Sequence, residues 1–108
     1  MSTRSQVFIK DTGVYLYQHC DGYDLAGIVK EAIASPAGRA RSDDVEYLTR
    51  IIFCEMVKND VSGELGYGIG TTQHGDIDFL VTVDVKAQTV TELNIYRKTK
   101  VTDAFADC

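Results

Sequence analysis

Residues 17–24 read YQHCDGYD, which sets an imidazole, a thiol, two carboxylates and two phenols around one glycine. Three chemistries could use such a set. Thiolate catalysis needs a base that meets the sulfur and a third group that orients the base. His19 and Cys20 are neighbours, so on a strand their side chains diverge to opposite faces and His19 does not activate Cys20. His74, the second of two histidines, could approach Cys20, but no spacing enforces it. A metal site could gather His19, His74, Asp21 and Asp76, yet it needs ligands that converge, and their separation in the chain does not compel that. The expectation is no catalytic set, no metal and no cofactor.

The third chemistry is binding. In VYLYQHC, Val14, Leu16, Gln18 and Cys20 point one way and Tyr15, Tyr17 and His19 the other. If Val14 and Leu16 face the core, the other three form an aromatic strip on an open sheet face. Large rigid aromatics contribute most to contacts with a partner or a planar ligand, although cross-strand pairing alone would also account for them. The DGYD segment reads first as a turn, with Gly22 supplying a positive φ and Asp21 and Asp24 satisfying free amides at a helix start. Tyr23, beside it, joins the candidate binding residues.

Two further stretches stand out. In GELGYGIGTTQHGD the glycines are spaced GxGxG and lead into a strand, so the phosphate-cradling geometry of a dinucleotide fold is absent. Alternating glycines leave one bare strand face, for which tight packing is the expected reason. On a helical wheel over SDDVEYLTRIIFCEMVKND, Tyr47, Leu48, Ile51, Ile52 and Cys54 define an apolar arc that contains Glu55. A carboxylate there needs a partner, such as His19, His74 or a tyrosine hydroxyl. Phe53 and Val57 fall on the outer side, which points to a protein interface and a homodimer.

The elements that must position these residues follow from periodicity. QVFIK, DTG and VYLYQHC read as a β-hairpin turning at Gly13. Leu25, Ile28, Val29, Ala32 and Ile33 mark an amphipathic helix stopped by Ser35-Pro36 and Gly38. SPAGRARS is a polar link. SDDVEYLTRIIFCEMVKND follows as a longer helix, with Asp43 and Glu46 at capping-box spacing. In DIDFLVTVDV, Ile77, Phe79, Val81, Val83 and Val85 share one face of an antiparallel strand, and TVTELNIYRK is its partner. The fold class is α+β: a two-layer sandwich in the order β-β-α-α-β-β-β, with an antiparallel sheet of four to five strands and two helices on one face. Residues 1–97 form the single domain, and 98–108 a loose C-terminal tail.

At 108 residues there is room for one modest core. The 44% hydrophobic and 25% charged content is ordinary for a soluble globular protein. A net charge of −5 disfavours nucleic acid, whose phosphates are held by lysine and arginine clusters, and suits a basic protein patch. Cys20, Cys54 and Cys108 are odd in number and widely spaced, so reduced thiols are expected, with Cys54 in the core. MSTRSQVFIK contains no apolar run long enough for a signal peptide, and no segment approaches a membrane span, so a cytoplasmic protein is expected.

VYLYQHCDGYDL, DDVEYLTRIIFCEM and GYGIGTTQHGDIDFLVTVD together resemble a family of small proteins encoded by bacteriophages, prophages and related mobile elements such as integron cassettes. The shared pattern is a strand ending Y-x-H-x-D-G-Y, a helix with E-Y-L, and a G-I-G segment before a sheet strand. The resemblance covers residues 13–92; His19, Asp21, Gly22, Tyr23, Gly68 and Gly70 match it, whereas Cys20 stands where members carry an aromatic and Asp24 where they carry proline or another residue. It implies a context and not a chemistry. The leading expectation is a non-enzymatic accessory protein of a mobile element that binds a protein, as an inhibitor of a host defence or regulatory system. The alternative is a small-ligand binder or minor enzyme with a pocket at His19, Asp21, His74 and Glu55.

Overall fold

The structure, a computed structural model, describes residues 3–108. Strands β1 (Ser5–Ile9) and β2 (Val14–Gln18) form the expected hairpin, closed by Gly13 at φ 75°. A single 3-10 turn over Gly22–Asp24 leads into α1 (Leu25–Ala34), then the one-turn α2 (Pro36–Ala40) and α3 (Val45–Val57). Four strands follow: β3 (Tyr67–Gly70), β4 (Phe79–Asp84), β5 (Thr89–Asn94) and β6 (Thr99–Ala104).

The α+β class holds, with a larger and mixed sheet. Six strands lie in the order β3-β2-β1-β4-β5-β6, and β1 pairs with β4 in parallel, the other neighbours being antiparallel. The arrangement follows composition. β1, the most buried strand, and the alternately buried β4 occupy the middle of the sheet. Glycine-rich β3 and polar β6 take the edges, which tolerate few apolar contacts.

One face carries the core. Val7, Ile9, Leu16, Val81, Val83 and Val90 from the sheet join Leu25, Val29 and Ile33 of α1 and Leu48, Ile52 and Met56 of α3 in one cluster. Ile77, Phe79, Val81, Val83 and Val85 are all buried, as their alternation requires. A radius of gyration of 12.7 Å matches the ~13 Å of a single 100-residue domain.

Several local expectations are corrected. Residues 98–108 are no loose tail: β6 pairs along β5, and Phe105 beyond it is only 2% exposed in the core. Arg39 of α2 donates to the carbonyls of Phe105 and Cys108, and Lys30 of α1 bonds Asp103 at 2.6 Å. SPAGRARS is not merely a link. Ser35 caps α2 by accepting from Gly38 N–H, and Gly38 packs so closely on the end of α1 that a Cβ would overlap the Ala32 carbonyl.

The cap of α3 is Asp44, which accepts from Tyr47 N–H at 3.2 Å, one residue later than the spacing suggested. Its buried stripe is Leu48, Ile51, Ile52 and Met56, while Tyr47 and Cys54 are exposed. Cys54 is therefore not a core thiol, and Phe53 and Val57 are not outer residues. Both are half-buried and pack against the core, which removes the stated basis for a homodimer through them.

Candidate functional site

The helices cover one face of the sheet and leave the other open. On the open side, β1 presents Gln6 and Phe8, β2 Tyr15 and Tyr17, β4 Leu80 and Thr82, and β5 Thr91 and Leu93. Register makes neighbours of Phe8 and Tyr15, of Gln6 and Tyr17, and of Leu80 and Leu93. The Phe8 and Tyr15 rings stack with centroids 4.7 Å apart. Tyr17 continues the row: its ring lies 4.7 Å from that of His74, and its hydroxyl is 3.0 Å from His19 Nδ1.

His74 arrives by an unusual route. Strands β3 and β4 run parallel, so the chain must cross back between them, and the helices are already spent between β2 and β3. Residues 71–78 therefore cross the open face without a helix, and Gln6 anchors them. Its amide is 1% exposed, donates to the Thr72 carbonyl at 3.1 Å and accepts from His74 N–H at 2.9 Å. Arg4 adds an ion pair with Asp76 at 2.9 Å, and its carbonyl accepts from Asp78 N–H.

His19 is placed by a second glutamine. Gln18 faces the helices, is 3% exposed, and donates to the carbonyls of Cys20 and Asp21. Its carbonyl oxygen and the adjacent Ser5 hydroxyl are buried with no hydrogen-bond partner among the described residues. The turn so held does not have the form its composition implied. Asp21, not Gly22, takes the left-handed conformation, at φ 59°, and neither Asp21 nor Asp24 caps through its side chain. Gly22 is needed for close approach instead, because a Cβ there would stand 2.8 Å from the Thr3 carbonyl oxygen.

Burial pushes the Tyr17 phenol above its ordinary value, Asp76 and Cys20 add to that, and Arg4 opposes it. A phenol held protonated between two imidazoles is a hydrogen-bonding and stacking group rather than a nucleophile. Cys20 is exposed, and no group of three or more metal-ligating side chains gathers among the described residues.

The sequence-derived residues thus divide. Tyr15, Tyr17, His19 and His74 come together on the open face. Asp21 is exposed at the turn, and Tyr23 turns to the helix side, its ring edge-to-face with that of Phe79 at a centroid separation of 5.2 Å. There Tyr23 lines a shallow cleft of roughly 700 Å³ with Tyr96 and Arg97. Glu55 lies on α3, beyond the opposite face of the sheet, and pairs with Lys58, whose pKa that hydrogen bond raises. Glu55 therefore takes neither histidine as partner, and the pocket of His19, Asp21, His74 and Glu55 does not form.

The bare face of β3 is also not explained by packing. A Cβ at Gly70 would meet nothing within 4 Å, and at Gly68 only the Tyr17 Cβ at 4.0 Å. Sequence reasoning missed Phe8, Leu80, Leu93 and both glutamines. Alternation in QVFIK does place Gln6 and Phe8 opposite Val7 and Ile9, but the loop that buries Gln6 lies some 66 residues away in the chain. Compared with protein-family models, curated proteins and solved structures, the chain matches none.

Proposed function

We propose that this chain is a non-enzymatic protein-binding module that docks a partner on its open sheet face. The observation that carries the reading is the row Phe8–Tyr15–Tyr17, half-buried side chains that no helix covers, with the exposed His74 ring at its end. Aromatic residues in such a row are the kind that dominate interfaces, where single truncations cost about 2 kcal/mol or more. Leu80 and Leu93 extend the apolar patch across β4 and β5. The net charge of −5 favours a partner with basic residues around an apolar centre.

The motif resemblance in residues 13–92 supports placing the protein among accessory factors of phages or mobile elements, acting as an inhibitor of a host defence or regulatory protein. Such a role requires a surface rather than a reaction centre, in keeping with a protonated Tyr17 and a distant Glu55.

The test starts with capture from host lysate by the tagged protein, repeated with Tyr15→Ala, His19→Ala and Tyr23→Ala, and with Arg50→Ala on the exposed side of α3 as control. A partner identified in this way is then purified and titrated. Loss with Tyr15→Ala and His19→Ala but not with Arg50→Ala supports the reading. Equal binding by all variants sinks it.

A further inference from the structure

The two edges of the sheet are not alike. Strand β6 carries Lys100 and Asp103, charges of the kind that discourage further strand pairing. Strand β3, YGIG, carries none, and its Ile69 is 65% exposed. His19 N–H donates to the Gly66 carbonyl, so the β2–β3 register makes 19/66, 17/68 and 15/70 the hydrogen-bonded pairs. The main-chain groups of Gly66, Gly68 and Gly70 consequently turn inward to β2. Those of Tyr67 and Ile69 turn outward, where no strand lies beyond β3 among the described residues.

The alternating glycines then acquire a purpose. On the open face Gly68 and Gly70 leave a lane one strand wide, about 5 Å, between the free edge and the Tyr15–Tyr17 row. A strand added outside β3 would set one residue opposite Gly68, with its side chain on the open face. A large aromatic or apolar side chain there could lie across the lane onto Tyr17, since aromatic groups readily cover a neighbouring strand's glycine. Charge selects further. The segment that leads into this edge, residues 59–66, holds Asp60 and Glu64 and no lysine or arginine, whereas Asp76 and Asp78 lie beside Arg4 near β1 and β4. A second copy paired through β3 would bring no lysine or arginine of this segment to meet them.

We infer that β3 is a strand-addition site for an extended segment of a partner protein, with apolar or aromatic residues at alternate positions and lysine or arginine between them. Tyr67 and Ile69 supply the main-chain pairing, and the glycine lane receives one large side chain. The inference rests on the protein-binding reading above and names its mode of recognition.

The probe is a synthetic nonapeptide alternating lysine with tyrosine and valine, compared with the same peptide N-methylated at alternate residues, which keeps the charge and blocks pairing. The expected result is at least tenfold tighter binding of the unmethylated peptide, with amide shifts centred on Tyr67 and Ile69. Ile69→Pro removes an N–H that the register turns away from β2, and should weaken binding at least tenfold with an unchanged circular dichroism spectrum. Gly68→Val fills the lane and should weaken the peptide several-fold. Equal affinity for both peptides, or wild-type affinity in Ile69→Pro, overturns the proposal. So does a wild-type dimer that Ile69→Pro converts to monomer, because the edge would then belong to a second copy. If peptide pairing fails while Tyr15→Ala still abolishes partner capture, strand addition is wrong and the open-face reading stands.

Discussion

Gln6 and Gln18 each bury an amide that bonds the main chain of a segment bearing a histidine: the crossing loop with His74, and the turn after His19. A buried group that loses such partners costs about 1–3 kcal/mol. Gln6→Leu keeps the volume and removes both bonds to the loop. It should lower stability by about that amount and abolish the proton contacts between the Tyr17 and His74 rings, read by denaturation and nuclear Overhauser spectra. Unchanged ring contacts would show that the loop holds without Gln6. Strand alternation in VYLYQHC made the facing of Tyr15, Tyr17 and His19 legible. It could not reveal that a glutamine on the core side fixes the turn beyond them.

Asp84 supplies the acid-side signature. Its carboxylate accepts from Ala87 N–H at 3.0 Å and from Lys10 Nζ at 3.3 Å, and the backbone bond leads in holding its pKa below the ordinary 3.8. A lowered carboxylate pKa stabilises the fold above its unfolded value, and that contribution is lost as pH falls through the folded one. Stability should therefore drop below about pH 4, and Asp84→Asn should flatten that part of the profile in urea titrations across pH 2–6. A profile that keeps the wild-type slope would contradict this role for Asp84.

At the scale of elements, the hairpin and β4 were legible because period-two alternation coincides with one-sided burial. Helix α3 was legible as a helix but not in its rotation. VEYLTRIIFCEMV has apolar residues on most of its circumference, so the wheel does not choose between an arc centred on Ile51 and one centred on Ile52. The structure centres it near Ile52, and Phe53 joins the core margin. Phe53→Asp should consequently destabilise the monomer by about 2–4 kcal/mol instead of dissociating a dimer, which denaturation with sedimentation distinguishes. A change in solution mass with unaltered stability would contradict this. The glycines divide in the same physical terms. Gly22→Ala should be costly, since its Cβ meets the Thr3 carbonyl, whereas Gly70→Ala should be tolerated because the space is open.

At the scale of the whole molecule, two features were hidden from sequence. The parallel pairing of β1 with β4 joins residues more than 70 apart, and no local pattern encodes it. The last strand, TKVTDA, reads as polar because an edge strand with one lightly covered face has little need of apolar residues. Phe105, with Cys108 beside it, connects this segment to the core. Phe105→Ala should cost about 3–5 kcal/mol, and a chain ending at Tyr96 should lose cooperative unfolding, because β5 becomes an edge and the core opens beneath α1 and α2. A cooperative transition in the truncated chain would return residues 98–108 to the status of a tail.

The central claim concerns the face that the helices leave open. It is tested most directly by calorimetric titration of a purified partner with wild-type protein, Tyr15→Ala and Arg50→Ala, all confirmed folded by thermal melting. The account predicts that Tyr15→Ala weakens binding by a factor of about thirty or more, the equivalent of about 2 kcal/mol, while Arg50→Ala binds as wild type. Full affinity in Tyr15→Ala, or a loss confined to Arg50→Ala, would place the interface on the helices and contradict it.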